Sequence, residues 1–199
     1  DRVASRGLGD VYKRQKQVIA AVTSFEAKQL RDEAAAAPTS KSAEYLSFRT
    51  SAGLPRYLHQ RRSWWMSYGR SVKTKLRCGT SELEVERGRY DSTPRALRHC
   101  RCCPTGEVEC SFHYLMRCPL HSQARARLFA EISALVCKPG SRDHFGWLTM
   151  TPAQRWSFLL GDGPPVSPDS RANTQWGFIE TQLYHYLACT YKARRAHLE

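Results

Sequence analysis

The sequence predicts a mainly α protein, a helical domain with a small central knuckle built on cysteine and histidine. Three observations lead there. Four stretches (residues 16–35, 55–76, 122–136 and 173–197) repeat apolar side chains at helical spacing, with charges between them. Strand-like alternation is confined to one short run, Leu83 and Val85 set between Glu82, Glu84 and Glu86. Residues 99–121, HCRCCPTGEVECSFHYLMRCPLH, gather five cysteines and three histidines into 23 positions. No internal repeat is visible, and 199 residues suffice to bury a real core in one domain or two small ones.

The elements follow in order. Residues 16–35 carry Val18, Ile19, Val22, Phe25 and Leu30 as one stripe, and Pro38 ends the helix. Thr39 or Ser40 then supplies a cap for a short second helix. A long helix from Pro55 to Leu76 starts well, because proline suits the first helical position; Leu58, Trp65, Val72 and Leu76 face one way. Residues 83–86 read as a short strand. A helix over 122–136 has Ala124, Leu128, Phe129, Ile132, Leu135 and Val136 as its stripe. Thr151-Pro152-Ala153-Gln154 has the makings of a capping box. After the loop GDGPPVSPDSRA, a closing helix over 173–197 buries Trp176, Ile179, Leu183, Leu187 and Tyr191.

In the knuckle, Cys100, Cys103, His113 and Cys118 form a C-x2-C-x9-H-x4-C set. The close cysteine pair fits a tight turn, Pro104-Thr105-Gly106 reverses the chain, and a short helix brings His113 and Cys118 to one point. Three thiolates and an imidazole suit tetrahedral Zn2+, and four protein ligands make such a site structural rather than catalytic. Other pairings through Cys102 or Cys110, or no metal at all, stay open at this point. His99 and His121 read as surface histidines, and Cys78, Cys137 and Cys189 as small core residues. No thiol has a paired base at a recognisable spacing, which argues against cysteine catalysis.

The charge points to a partner. Lys and Arg outnumber Asp and Glu 31 to 18, a net +13, which favours a polyanion and nucleic acid first. Between residues 56 and 101 there are twelve Lys or Arg against four acids, interleaved with Trp64, Trp65, Tyr68 and Tyr90. Arg61, Arg62, Lys73, Lys75 and Arg77 are the candidate phosphate contacts, with Arg89 beside them and Trp64 as a stacking surface. Arg77 and Arg89 have an alternative use, pairing with Glu84 or Glu86. The segment YKARRAHLE adds a second small basic patch. No stretch is apolar enough to span a membrane and no signal peptide is visible, so the cysteines are expected as thiols or ligands in a reducing compartment. Residues 5–15, SRGLGDVYKRQ, back-translate into a transposase-type sequencing adaptor; residues 1–15 therefore read as a translated library artefact, and setting them aside lowers the charge to about +11.

With these residues in place, the segment from KLRCGTSELEVERGRY to RHCRCCPTGEVECSFHYLMRCPLHSQARARLF resembles the region downstream of the polymerase in non-LTR (LINE-type) retrotransposon reverse transcriptases. The resemblance covers about residues 70–130. It rests on Leu76, Arg77, Gly79, Leu83, Glu86, Gly88 and Arg89, then on Cys100, Cys103, Gly106, Glu107, Glu109, Phe112, His113, Cys118, Pro119 and Arg125. Cys110 departs from the pattern, which has an acid there. The resemblance implies a zinc-binding, nucleic-acid-contacting piece of a larger polypeptide, preceded by a polymerase domain and carried as a ribonucleoprotein in nucleus and cytoplasm. It divides the chain into a basic helical linker (16–98), the zinc knuckle (99–121) and a C-terminal helical region (122–199). The polymerase's paired aspartates are absent, and after Pro168-Asp169 the next acid is Glu180 with no E-x-K to complete a nuclease, so no enzymatic activity is expected. The competing reading is a zinc-stabilised helical module that binds protein and not nucleic acid.

Overall fold

The computed structural model describes residues 2–37, 40–49, 55–59, 64–164 and 167–199. It is mainly α, with no strand among the described residues; a single antiparallel bridge joins His99 to Val108. The helices are α1 (Arg2–Ala36), α2 (Lys41–Ser47), α3 (Arg56–His59), α4 (Trp64–Arg77), α5 (Glu84–Tyr90), α6 (Ser122–Val136), α7 (Pro152–Leu160) and α8 (Ser170–Leu198). No described helix is long and apolar enough to cross a membrane.

α8 is the spine. Trp176, Ile179, Leu183 and Leu187 are fully buried and Tyr191 nearly so, the stripe the periodicity predicts. Each such side chain contributes roughly 1.5–3 kcal/mol on leaving water. Val72 and Leu76 of α4 and Leu128, Ile132 and Val136 of α6 pack into the same core. α4 approaches α8 closely because Gly69 lies at their crossing: a Cβ there would sit 2.1 Å from the Tyr184 carbonyl oxygen. α4 stops at Gly79, whose φ of +58° is left-handed; Thr80 N–H then donates to the Lys75 carbonyl. Ser40 caps α2, accepting from Ala43 N–H at 3.1 Å. At α7, Thr151 and Gln154 exchange both capping-box bonds.

Four expectations are corrected. The run 83–86 is the entry to α5, not a strand. Leu83 and Val85 are both buried, but Glu86 and Arg87 donate backbone N–H groups to the Leu83 carbonyl, a helical start that two alternating apolar residues cannot distinguish from a strand. The stripe on α1 is not a core face: Val18, Val22 and Phe25 are exposed, and the helix packs along α2. On the helix expected over 55–76, Leu58 is exposed and does not belong to the buried stripe; the described parts of that span are α3 and α4, and residues 60–63 and the side chain of Trp65 lie outside the described set. Cys137 and Cys189 are exposed and Cys78 is only half-buried, so none of the three is a fully buried core residue.

Candidate metal centre

The knuckle begins as a hairpin. Cys100 N–H donates to the Glu107 carbonyl at 2.9 Å and Glu109 N–H to the Arg98 carbonyl at 2.9 Å. Gly106, at φ +67°, makes the reversal between them. Two helical residues follow, and then a π-turn, His113–Arg117. In that turn Cys118 N–H donates to the His113 carbonyl at 2.7 Å, so the five-residue spacing is closed by an i to i+5 bond. His113 and Cys118 thereby come to the same side as the hairpin cysteines.

The ligand atoms of Cys100, Cys103, His113 and Cys118 all lie within 4.8 Å of one another, and three of the four residues are buried. Cys100 Sγ is 4.0 Å from Cys118 Sγ, far beyond a disulfide bond. Cys103 Sγ is 3.4 Å from His113 Nε2. A tetrahedron with metal–sulfur bonds of about 2.3 Å and metal–nitrogen bonds of about 2.0–2.1 Å has sulfur–sulfur edges of about 3.8 Å and sulfur–nitrogen edges of about 3.5 Å. The two measured edges match those lengths, so the cluster can hold a metal ion.

Its electrostatics say the same. The hydrogen bond between Cys100 and Cys118 pushes the Cys100 thiol up to about 12, with burial adding to it, while the same bond lowers Cys118. One sulfur thus keeps its proton to shield the other. Burial pulls His113 down, but hydrogen bonds to Cys100, Glu107 and Cys103 outweigh it and hold the imidazole at about 9. Four donors crowded out of water share protons because nothing else neutralises them; a divalent cation does so directly. His113 Nδ1 faces Glu107 Oε2 at 3.0 Å, which leaves Nε2 free to ligate and fixes the ring, and Arg117 steadies that carboxylate at 3.4 Å. The Arg125 guanidinium donates to the Cys118 carbonyl at 3.0 Å.

A second group, Cys100, Cys102 and Glu109, also falls within ligand distance but shares Cys100. Glu109 is already taken: its two oxygens accept from Arg194 at 2.7 Å each, and Glu84 N–H donates to Oε2 at 2.8 Å. Cys102 is a buried thiol that burial pushes up to about 11. Cys110 receives the His113 N–H at 3.5 Å, so both spare cysteines have structural work. His99 is exposed as expected. His121 is not a surface residue: it is 2% exposed, edge-on to Tyr114 with ring centroids 4.9 Å apart. The short turn Pro119–His121 before α6 points it inward.

The candidate phosphate contacts divide sharply. Lys73 and Arg77 are fully buried and cannot meet a polyanion: Lys73 lies 3.9 Å from Glu180 and over the Tyr57 and Trp176 rings, and Arg77 pairs with Asp162. Arg89 is paired with Glu86 at 3.3 Å and is 29% exposed, the alternative its spacing allowed. Lys75 is half-buried. Arg61, Arg62 and the side chain of Trp64 lie outside the described residues. In the C-terminal patch Arg194 is buried on Glu109, and Arg195 pairs with Glu82 at 3.1 Å. The exposed groups beside the knuckle are ones not singled out from sequence: Arg87, Arg101 and Arg117, with side chains 53%, 52% and 58% exposed, and Arg95; Arg87 and Arg101 share Glu84 at 3.9 and 3.7 Å, and Arg117 reaches Glu107 at 3.4 Å. Tyr90 stands 85% exposed among them in sequence. Position within a short helix and its following turn decides exposure there, and charge counting carries no such signal.

Compared with family models, with curated proteins and with solved structures, the chain matches none.

Proposed function

We propose that this chain is a non-catalytic, nucleic-acid-binding piece of a LINE-type retroelement reverse transcriptase, in which Zn2+ on Cys100, Cys103, His113 and Cys118 folds the knuckle beneath a basic surface. The convergence of those four donors within 4.8 Å of one another, with the Cys100–Cys118 and Cys103–His113 edges at tetrahedral lengths, at the spacing the resemblance requires, carries the reading. Zinc is favoured because three thiolates and one imidazole in a closed, carboxylate-braced site suit a structural d10 ion. The ion's part is to set the hairpin against the π-turn. Arg87, Arg95 and Arg101 supply charge for phosphates of RNA or DNA, and Tyr90 offers a face to an unpaired base. In a cell such a piece travels with its element's ribonucleoprotein.

The test pairs metal analysis with binding. About one zinc per purified chain is expected, with RNA and DNA affinity that falls linearly in log–log fashion with salt. Arg87→Ala/Tyr90→Ala/Arg101→Ala weakens that binding and makes the salt dependence shallower by about 1 to 2 in slope. A chain that holds zinc but binds nucleic acid only at background, or with a flat salt response, overturns the reading in favour of a protein-interaction module.

A further inference from the structure

A second cationic feature sits at the other end of α8. The end of α6, the segment after it and the first three turns of α8 enclose a cleft of about 550 Å³, with Leu135, Lys138, Arg142, His144, Arg171 and Phe178 in its wall. Lys138, Arg142 and Arg171 are exposed, and their side chains have no ion-pair or hydrogen-bond partner among the described residues. The nearby acids are committed elsewhere. Asp143 accepts from the backbone N–H groups of Phe145, Trp147 and Leu148. Asp169 caps α8 through Arg171 N–H and lies 3.6 Å from His144 Nδ1. The helix's amino end is therefore already neutralised, and the attraction of this cleft comes from its side chains.

The floor is built. Gln175, 5% exposed, donates to the Arg142 carbonyl at 2.9 Å and accepts from His144 N–H at 3.3 Å, which ties the basic loop to α8. Phe178 presents a partly exposed ring, 36%, on the same wall. A neighbouring hollow of about 390 Å³ shares His144 and Asp169 and runs on toward Arg56 and Asn173, so the feature is a groove and not a spot. From Thr174 to Arg194, beside the knuckle, α8 rises about 30 Å at 1.5 Å per residue.

We infer that this groove is a second binding site for single-stranded nucleic acid, with phosphates on Lys138, Arg142 and Arg171 and a base stacked on Phe178. It rests on the proposed nucleic-acid function but uses none of the knuckle's residues. Three unpaired cations around an apolar wall with an exposed aromatic ring match a flexible phosphodiester strand, which offers charge and a π-face together. An acidic peptide offers only the charge.

Fluorescence anisotropy of the zinc-loaded full chain with a labelled single-stranded 20-mer RNA, and its DNA equivalent, tests this across a salt series. Lys138→Gln/Arg142→Gln/Arg171→Gln should weaken binding about tenfold or more and lessen the log–log salt slope by about 2, at about 0.7 per lost contact on a single strand. Phe178→Ala should weaken binding about fivefold or more with the slope unchanged, and Phe178→Tyr should restore it. All of these side chains are at least partly exposed, so unchanged zinc content and melting temperature certify the fold. If the triple variant binds like the parent while Arg87→Ala/Tyr90→Ala/Arg101→Ala loses affinity, the groove is overturned and the knuckle surface stands. Loss in the triple variant alone leaves the groove as the binding face and overturns the knuckle surface. Equal competition by poly-glutamate overturns the assignment to nucleic acid, and no binding by the parent chain overturns both.

Discussion

The knuckle and the helical body bury their side chains about equally well and for opposite reasons. Around α8 the interior is Trp176, Ile179, Leu183 and Leu187 against Val72, Leu76, Leu128 and Ile132, groups that leave water favourably whatever else happens. In the knuckle the interior is Cys100, Cys102 and Cys118, with Cys103 and Leu198 packed against them. Those sulfurs repel one another as soon as they ionise, and His113 alone cannot neutralise three of them. The body is assembled by solvent, whereas the knuckle gathers donors that can hold a cation. The two meet where Glu109 of the hairpin takes Arg194 of α8.

Removing the metal separates the regions most widely. A structural zinc contributes on the order of 10–16 kcal/mol to the folding of the segment that binds it. Chelation, or Cys118→Ser, is expected to strip hydrogen-exchange protection from residues 99–121 while α4 and the first five turns of α8 keep theirs. Native-state exchange read by mass spectrometry checks this. Equal loss everywhere would mean that one cooperative unit spans both regions; no loss in the knuckle would mean that its hydrogen bonds suffice without an ion.

The next largest effect lies at the junction. Arg194→Met leaves Glu109, 1% exposed, with its charge unpaired and 3.7 Å from Cys100 Sγ. Breaking a buried pair this way costs about 3–5 kcal/mol. Because the stranded carboxylate also repels the thiolate ligand, zinc affinity should fall with stability. The double change Arg194→Met/Glu109→Gln removes the charge and should recover most of both, since Gln still offers an oxygen to Glu84 N–H. Urea midpoints and competition with a chromogenic zinc chelator measure the two quantities. If both variants are equally unstable, packing of the Arg194 stem and not its charge makes the junction.

The body was legible in sequence because its physics is periodic. The stripes on α6 and α8, the Thr151 capping box and the Ser40 cap all follow from local spacing. The cluster of Cys100, Cys103, His113 and Cys118 was legible because such chemistry is rare and the spacing short. Exposure of the cations was not legible. Lys73 and Arg77 sit on α4 beside Val72 and Leu76, and what takes them inside is Glu180 and Asp162, acids about a hundred residues later in the chain. The motif positions in the 76–89 run prove structural here: Gly79 ends α4, Glu86 takes Lys41 and Arg89, and Gly88 makes room for Arg98, whose side chain crosses it. A pattern that looks like a nucleic-acid signature therefore builds the support for the knuckle, and the exposed cations come from the outer side of α5 and the turns that follow it.

The smallest effect expected is a pH dependence that belongs to the junction of the two regions and not to the ligands. Burial, followed by the charge of Arg125, holds His121 down at about 4. An unfolded histidine titrates near 6.5. The folded state thus refuses a proton that the unfolded chain accepts, so His121 lends its full stability above about pH 6.5 and loses it as the pH falls toward 4. At pH 5.5 the loss is about 1.4 kcal/mol, close to tenfold in the unfolding equilibrium. Urea midpoints at pH 7.5 and 5.5 for the parent chain and for His121→Gln check it, with zinc content assayed at both so that ligand protonation is common to the pair. The parent should lose about 1.4 kcal/mol more than the variant between the two pH values. Equal losses would place all the acid sensitivity in the metal centre, and the neutral imidazole against Tyr114 would then be packing alone.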